Sequence, residues 1–288
     1  MIKNGIYAAG LSILNEDMSL NAQATITHAE SAIKHGLHGV FFFGSTGQSQ
    51  LISISEKKEL ISKTATSKFR DQFYIGTGLN SLNDNLDLIR YSMEYGFQTF
   101  LIMPPAYYKG NTDEGVYNFY SEIILRIPKI KIILYNFEKL SGYLFNTEII
   151  KKLVANFPKQ IIGCKDSSYN LFENLKIPNF KMFPGSEAKL LKGLELDCSG
   201  CISAVTNVTH SLARKVFDDF GNNQQQSANE QLVNVRQTFD KYPLISALHS
   251  FLSIKDKNYS YVLPPLSLLN SNLREELLNK LKELDFTT

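Results

Sequence analysis

One alternation limits this chain more than any other feature. A short apolar run is followed by a longer segment with helical spacing, and the pattern recurs to about residue 221. The apolar runs are IYAAGLSI (6–13), GVFFFGS (39–45), FYIGTG (73–78), TFLIMPP (99–105), KIILYNF (131–137), IIGCKDS (161–167), KMFPGS (181–186) and GCISAVTN (200–207). Helical patterns fill the gaps at 25–36, 56–69, 85–96, 114–127, 146–157, a short stretch after 167, 188–196, and from about Thr209 to Phe220. Strands that are apolar along their whole length are buried on both faces. With helices between them they form a parallel sheet. Eight such units predict a (β/α)8 TIM barrel. The rival, a doubly wound open sheet, lacks a G-x-G-x-x-G after the first strand.

Beyond residue 222 the strand signal stops. NNQQQSANEQLVNVRQTFDKY, LISALHSFLSI and NLREELLNKLKEL read as helices. The expected organisation is a barrel domain over residues 1–221 and a C-terminal helical region over 222–288. NNQQQ (222–226) reads as a polar helix start or loop.

Composition excludes several classes. The net charge of +2 and the absence of a Lys/Arg-rich run argue against nucleic acid. No apolar run approaches the roughly 20 residues that span a bilayer. MIKNGIYAAG carries no apolar signal core, so a cytoplasmic protein is expected. Cys198 and Cys201 form a lone C-x-x-C with no second pair or nearby histidine, and no histidine spacing fits a metal. The three cysteines read as buried free thiols, and neither metal nor cofactor is expected.

Barrel enzymes react at the C-terminal ends of their strands. The polar residues there are Ser45, Thr46, Tyr107, Tyr108, Tyr135, Lys165, Ser167, Glu187 and Ser203. Lys165 stands out because it ends an apolar run. Taken alone, a strand-end lysine is more often structural. Period-two alternation adds that if Lys165 and Gly163 face the barrel, Cys164 and Asp166 face the helices. Burial disfavours an ammonium ion, so a lysine withdrawn from water can present the neutral amine that attacks a carbonyl. A Schiff base then makes a ketone an electron sink. Such chemistry needs a proton shuttle, for which a tyrosine suffices, and an anchor for substrate charge. The Gly44-Ser45-Thr46-Gly47 turn offers hydroxyls and backbone N–H groups to a carboxylate, although a plain strand-ending turn would read the same way.

Six segments resemble, in order, the pyruvate-dependent class I aldolase superfamily of dihydrodipicolinate synthase and N-acetylneuraminate lyase. They are GVFFFGSTGQSQLISISEKKEL, YIGTGLNSLNDNLDLIRYSMEYGFQTFLIMPPAYYKG, KIILYNFEKLSG, IIGCKDSS, FPGSEAKLL and GCISAVTNV. The resemblance implies that Lys165 forms the Schiff base with pyruvate or a larger 2-keto acid. It implies that Tyr135 shuttles protons and that Ser45 and Thr46 hold the carboxylate. Tyr108 matches a tyrosine lent across a dimer interface, and Gly185 and Ile202 match main-chain positions lining the pyruvate pocket. A homotetramer, built as a dimer of dimers and without metal or organic cofactor, is also implied.

The departures from the family pattern narrow the substrate. Dihydrodipicolinate synthases carry Y-N-x-P-x-R-T-G, whereas residues 135–142 read Y-N-F-E-K-L-S-G. Leu140 cannot replace a bidentate carboxylate clamp. The L-S-G ending resembles sialic acid lyases, but Ala188 stands where their second sugar-binding acid belongs. The K-D-S and G-S-x-A forms resemble 2-keto-3-deoxy-sugar-acid and 4-hydroxy-2-oxoglutarate aldolases. The expected reaction is reversible cleavage of a 4-hydroxy-2-oxo acid to pyruvate and an aldehyde. Ser167, Glu187 and Glu138 are expected to meet the substrate hydroxyls. The alternatives are 4-hydroxy-tetrahydrodipicolinate synthase, N-acetylneuraminate lyase, a keto-acid-binding barrel without turnover, and a pyridoxal-phosphate enzyme using Lys165.

Overall fold

The computed structural model describes residues 2–287. Eight strands are β1 (Gly5–Ala9), β2 (Gly39–Phe42), β3 (Phe73–Gly76), β4 (Thr99–Ile102), β5 (Lys131–Asn136), β6 (Ile161–Asp166), β7 (Lys181–Pro184) and β8 (Gly200–Ser203). All pair in parallel, in the order β7-β6-β5-β4-β3-β2-β1-β8. The Ser199 amide donates to the Met182 carbonyl at 2.7 Å and draws the two outer strands together, so the barrel nearly closes. The expected (β/α)8 barrel is the observed fold.

The helices alternate with the strands: α1 (Ala22–Lys34), α2 (Ile54–Thr64), α3 (Leu82–Glu94), α4 (Asp113–Arg126), the single turn α5 (Glu138–Ser141), α6 (Thr147–Asn156), α7 (Leu190–Glu195) and α8 (Thr206–Gly221). Asn21, Ser81, Thr112 and Asn146 cap their helices by accepting from the backbone three residues on. Ser53 and Glu56 make a reciprocal capping box on α2. No helix fills the stretch between β6 and β7, where a short one was expected; it is a string of turns. The buried Asp166 carboxylate accepts from the amides of Tyr169, Leu171 and Phe172, so this segment takes its hydrogen bonds from a side chain.

Strand alternation separates two cores. Tyr7, Phe41, Leu101, Ile133, Phe183 and Ile202 fill the barrel, while Ile6, Val40, Phe42, Ile132 and Leu134 pack under the helices. Tyr7 meets Tyr74 and Phe183 edge-on at 5.7 Å, and Phe41 stacks on Tyr74 at 4.8 Å. These rings plug the barrel beneath the strand ends, as interior side chains do in this fold.

Three further helices follow: α9 (Asn229–Phe239), α10 (Leu244–Leu252) and α11 (Ser271–Lys282). Residues 222–226 lie in the turn and loop before α9. Val235, Phe239, Leu248 and Leu277 share one apolar cluster with Leu11, Ile13, Ala204 and Val205. The last three helices therefore lie over the strand ends of β1 and β8. His28 fastens them by bonding Tyr259 Oη and Asn207 Oδ1, each at 2.8 Å.

Candidate active site

The site begins where β2 ends early. A strand continued through residue 45 would turn Phe43 inward. Instead Phe43 adopts φ +57°, an uncommon conformation for a bulky residue, and its ring joins the outer core. Gly76 accommodates the turn: a Cβ there would lie 2.7 Å from the Phe43 carbonyl oxygen. The chain is then free to coil Ser45–Gly47 into one 3-10 turn at the barrel mouth. Gln48, also left-handed at φ +55°, ends that turn, and Oε1 of its buried amide accepts from the Leu263 amide at 2.7 Å.

Ser45 and Thr46 border a cavity of about 610 Å³ together with Tyr135, Lys165, Ser167 and Gly185. Tyr135 and Lys165 are register partners on β5 and β6, so both face the interior. The Lys165 Nζ sits 4.2 Å from the Tyr135 ring centroid, a cation–π distance. Oη of Tyr135 shares a hydrogen bond of 2.9 Å with Ser45 Oγ. Lys165 is 3% exposed, and among the described residues no carboxylate pairs with it. Cys164 and Asp166 face outward, as alternation requires; Cys164 lies in the outer core.

The neighbours of Lys165 are held tightly. Asn136 Nδ2 bonds both Asp166 Oδ1 and Asn170 Oδ1, which locks β5 to the loop after β6. The Gly185 amide donates to the Asp166 carbonyl at 2.8 Å, and a Cβ on Gly185 would fall 2.0 Å from Ser167 Oγ. Only glycine lets β7 approach this closely, and the approach leaves Ser167 at the cavity wall.

Three expected residues lie elsewhere. Glu187 is fully buried and turned away from the cavity. Its Oε1 accepts from Thr209 at 3.1 Å, while Oε2 accepts from Ser203 Oγ and from Arg236 Nη1, the latter at 2.8 Å. A buried carboxylate with this many donors is committed to the protein, and this geometry gives no support to the expectation that Glu187 meets substrate hydroxyls. Tyr108 is 75% exposed on the loop after β4 and does not line this chain's cavity. Ile202 lies in the barrel core, register partner of Tyr7.

Sequence reasoning missed Arg236 and Asp240, which reach the cavity from α9 and its C-terminal end. Burial works against the Arg236 guanidinium, but Glu187 and Asp240 outweigh it and hold the group above its ordinary range. Leu140 lines an adjoining apolar pocket of about 460 Å³ that shares Ser45, Thr46 and Tyr135 with the cavity. Burial pushes the Cys198 thiol up to about 11, and all three cysteines are free. Among the described residues no group of three His, Cys, Asp or Glu could hold a metal ion, and no helix is long and apolar enough to cross a membrane.

Comparison with known proteins meets this geometry at the family level. The model of the dihydrodipicolinate synthetase family matches residues 3–284. The chain is 30% identical over 223 residues to the N-acetylneuraminate lyase of Actinobacillus pleuropneumoniae, covering 74% of each. It is 26% identical over 235 residues to the 2-dehydro-3-deoxy-D-gluconate/2-dehydro-3-deoxy-phosphogluconate aldolase of Picrophilus torridus, covering 79% of this chain and 86% of the other. Across such relatives the matched segments span from 62% to 86% of their lengths. The crystal structure of dihydrodipicolinate synthase from Agrobacterium tumefaciens superposes with a TM-score of 0.88 at 24% identity, covering 98% of this chain and 99% of that one, a likeness of fold.

Proposed function

From the premise that this chain belongs to the dihydrodipicolinate synthetase family of aldolases and lyases, we propose that it reversibly cleaves a 4-hydroxy-2-oxo acid to pyruvate and an aldehyde through a Schiff base on Lys165. The observation that carries the reading is the convergence of Lys165, Tyr135 and Ser45 on one cavity. The amine lies 4.2 Å from the tyrosine ring, and the tyrosine hydroxyl lies 2.9 Å from the serine.

The steps follow from these positions. Ser45, Thr46 and the backbone of their turn hold the substrate carboxylate, which places C2 at the lysine. The neutral amine attacks C2, and loss of water leaves an iminium ion. Tyr135 takes the proton of the C4 hydroxyl as the C3–C4 bond breaks. The bond's electron pair moves into the iminium and forms an enamine, and the aldehyde leaves. Protonation at C3 and addition of water then release pyruvate and restore the amine. Ser45 relays the Tyr135 proton, general acid–base work of a kind that contributes about 10²–10⁴-fold.

The substrate we favour is a 2-keto-3-deoxy sugar acid, since Ser167 and Glu138 line the cavity and can meet hydroxyls. Leu140 in place of the family's arginine weakens the case for condensation with aspartate semialdehyde. We also infer a homotetramer in which the exposed Tyr108 serves the cavity of a second copy, and a cytoplasmic location.

Incubation with pyruvate followed by borohydride should add one reduced pyruvyl group to the peptide containing Lys165. No adduct at that lysine would overturn the mechanism. Pyruvate release, coupled to lactate dehydrogenase, is then read over sugar acids, N-acetylneuraminate and simpler 4-hydroxy-2-oxo acids. Strong condensation of pyruvate with aspartate semialdehyde would overturn the substrate assignment.

A further inference from the structure

With Glu187 bonded inside the protein, Glu138 is the expected carboxylate that borders the cavity. A second carboxylate, one not expected, stands there. Asp240 lines the same cavity as Lys165 and Ser167, and its side chain is 46% exposed. It comes from the C-terminal end of α9, outside the barrel strands.

Its bonding is unlike that of the two buried acids near the site. Asp166 is fully buried and accepts four hydrogen bonds, from Asn136, Tyr169, Leu171 and Phe172. Glu187 is fully buried between Arg236, Ser203 and Thr209. Asp240 receives one bond: Arg236 Nε donates to Oδ1 at 2.9 Å. Among the described residues nothing bonds Oδ2. Arg236 is itself held, because Nη1 donates to Glu187 Oε2 and Ser203 Oγ, each at 2.8 Å. The chain Glu187–Arg236–Asp240 thus runs from a fully buried anchor to a half-free carboxylate at the cavity wall.

We propose that Asp240, positioned by Arg236, holds the distal hydroxyls of the aldehyde half of the substrate and so sets which 4-hydroxy-2-oxo acids are turned over. An ionised carboxylate accepts hydrogen bonds only, so it suits hydroxyl donors and offers nothing to a methyl group. Fixing one oxygen aims the other, and a pre-aimed acceptor loses little freedom on binding. The inference rests on the aldolase reading of the cavity. It adds that the C-terminal helices share in substrate selection with the loops that follow the barrel strands.

The test compares 2-keto-3-deoxygluconate with 4-hydroxy-2-oxopentanoate, which carries a methyl group in place of the distal hydroxylated carbons. The wild type should favour the hydroxylated acid in kcat/KM by about 10- to 100-fold, the range expected for hydrogen bonds to a charged group. In Asp240→Asn that preference should shrink at least fivefold, mainly through KM, and Asp240→Glu should recover part of it. A wild type with no preference would overturn the proposal, and that result is readable whether or not a variant folds. A preference that survives in a folded Asp240→Asn would overturn it as well. An unlabelled Lys165 in the borohydride experiment would instead bring down the aldolase reading, and this inference with it.

Discussion

The barrel interior and the ring of helices each bury a lysine. Lys165 ends β6 inside the barrel and is 3% exposed; Lys57, in α2, is 0% exposed. Lys57 Nζ donates to the Thr77 carbonyl at 2.9 Å, with the Phe43 ring centroid 5.8 Å away, and it borders none of the cavity's reactive groups. Burial alone pushes it down to about 8. Among the described residues no carbonyl accepts from Lys165, which opens on a cavity beside Tyr135. Under the proposed mechanism, the difference teaches that burial by itself does not make a lysine a nucleophile. What matters is a vacant space within reach of the amine, with a proton acceptor on its border.

The largest effect that can break this comparison is on activity. Lys165→Ala should lower pyruvate release on the order of 10⁴-fold or more, measured by the coupled assay. Lys57→Met should keep the pyruvyl adduct on Lys165. An adduct found on Lys57, or lost in Lys57→Met while the protein stays folded, would make the two lysines equivalents.

Next comes the ion pair that joins the turn after β7 to α9. Arg236→Met leaves Glu187 buried without its cation, and the expected loss in urea unfolding is about 3–5 kcal/mol. A loss below about 1 kcal/mol would mean that Glu187 does not depend on Arg236.

The smallest effect concerns pH and Lys57. Its folded value of about 8 lies below its ordinary 10.5. Between those values the unfolded chain binds this proton and the folded chain does not, so stability rises with pH across that window. Relative to Lys57→Met, the wild type should gain up to about 3 kcal/mol between pH 8 and 10.5, read from urea unfolding at each pH. An unchanged difference across the window would show that Lys57 reaches water.

Much of the fold was legible because its signals are local. Each strand is a continuous apolar run, and most helices open on a side-chain cap such as Asn21, Ser81 or Thr112. Strand ends were read too long, at β1, β2, β4 and β8 most of all. Phe43 leaves the strand through a left-handed turn that no propensity favours in a phenylalanine, and the first turn of α8 begins at Thr206 rather than Thr209. Of the candidate site, Lys165, Tyr135, Ser45, Thr46 and Ser167, polar groups at strand ends, do border one cavity, as does Gly185, which only the family resemblance pointed to. Arg236 and Asp240 were not legible. Arg214 and Asp218 have the same spacing of four on α8 and form an ordinary half-exposed ion pair. Nothing in the spacing distinguishes the two pairs.

The sequence by itself determined the eightfold alternation, the two-residue alternation of faces along each strand and the lysine at the end of β6. These depend on neighbours within a few residues, through the pleat of a strand and the pitch of a helix. Tertiary structure alone decided the direction of Glu187, the arrival of Arg236 and Asp240 at the cavity wall, and the different surroundings of two buried lysines. Each of those depends on which distant surfaces meet when α9 packs on the barrel, where one carboxylate is neutralised by a buried guanidinium and another keeps an oxygen free. Such pairings arise from burial and charge across more than 40 residues of chain, Glu187 to Arg236 being 49 apart, and local pattern carries no record of them.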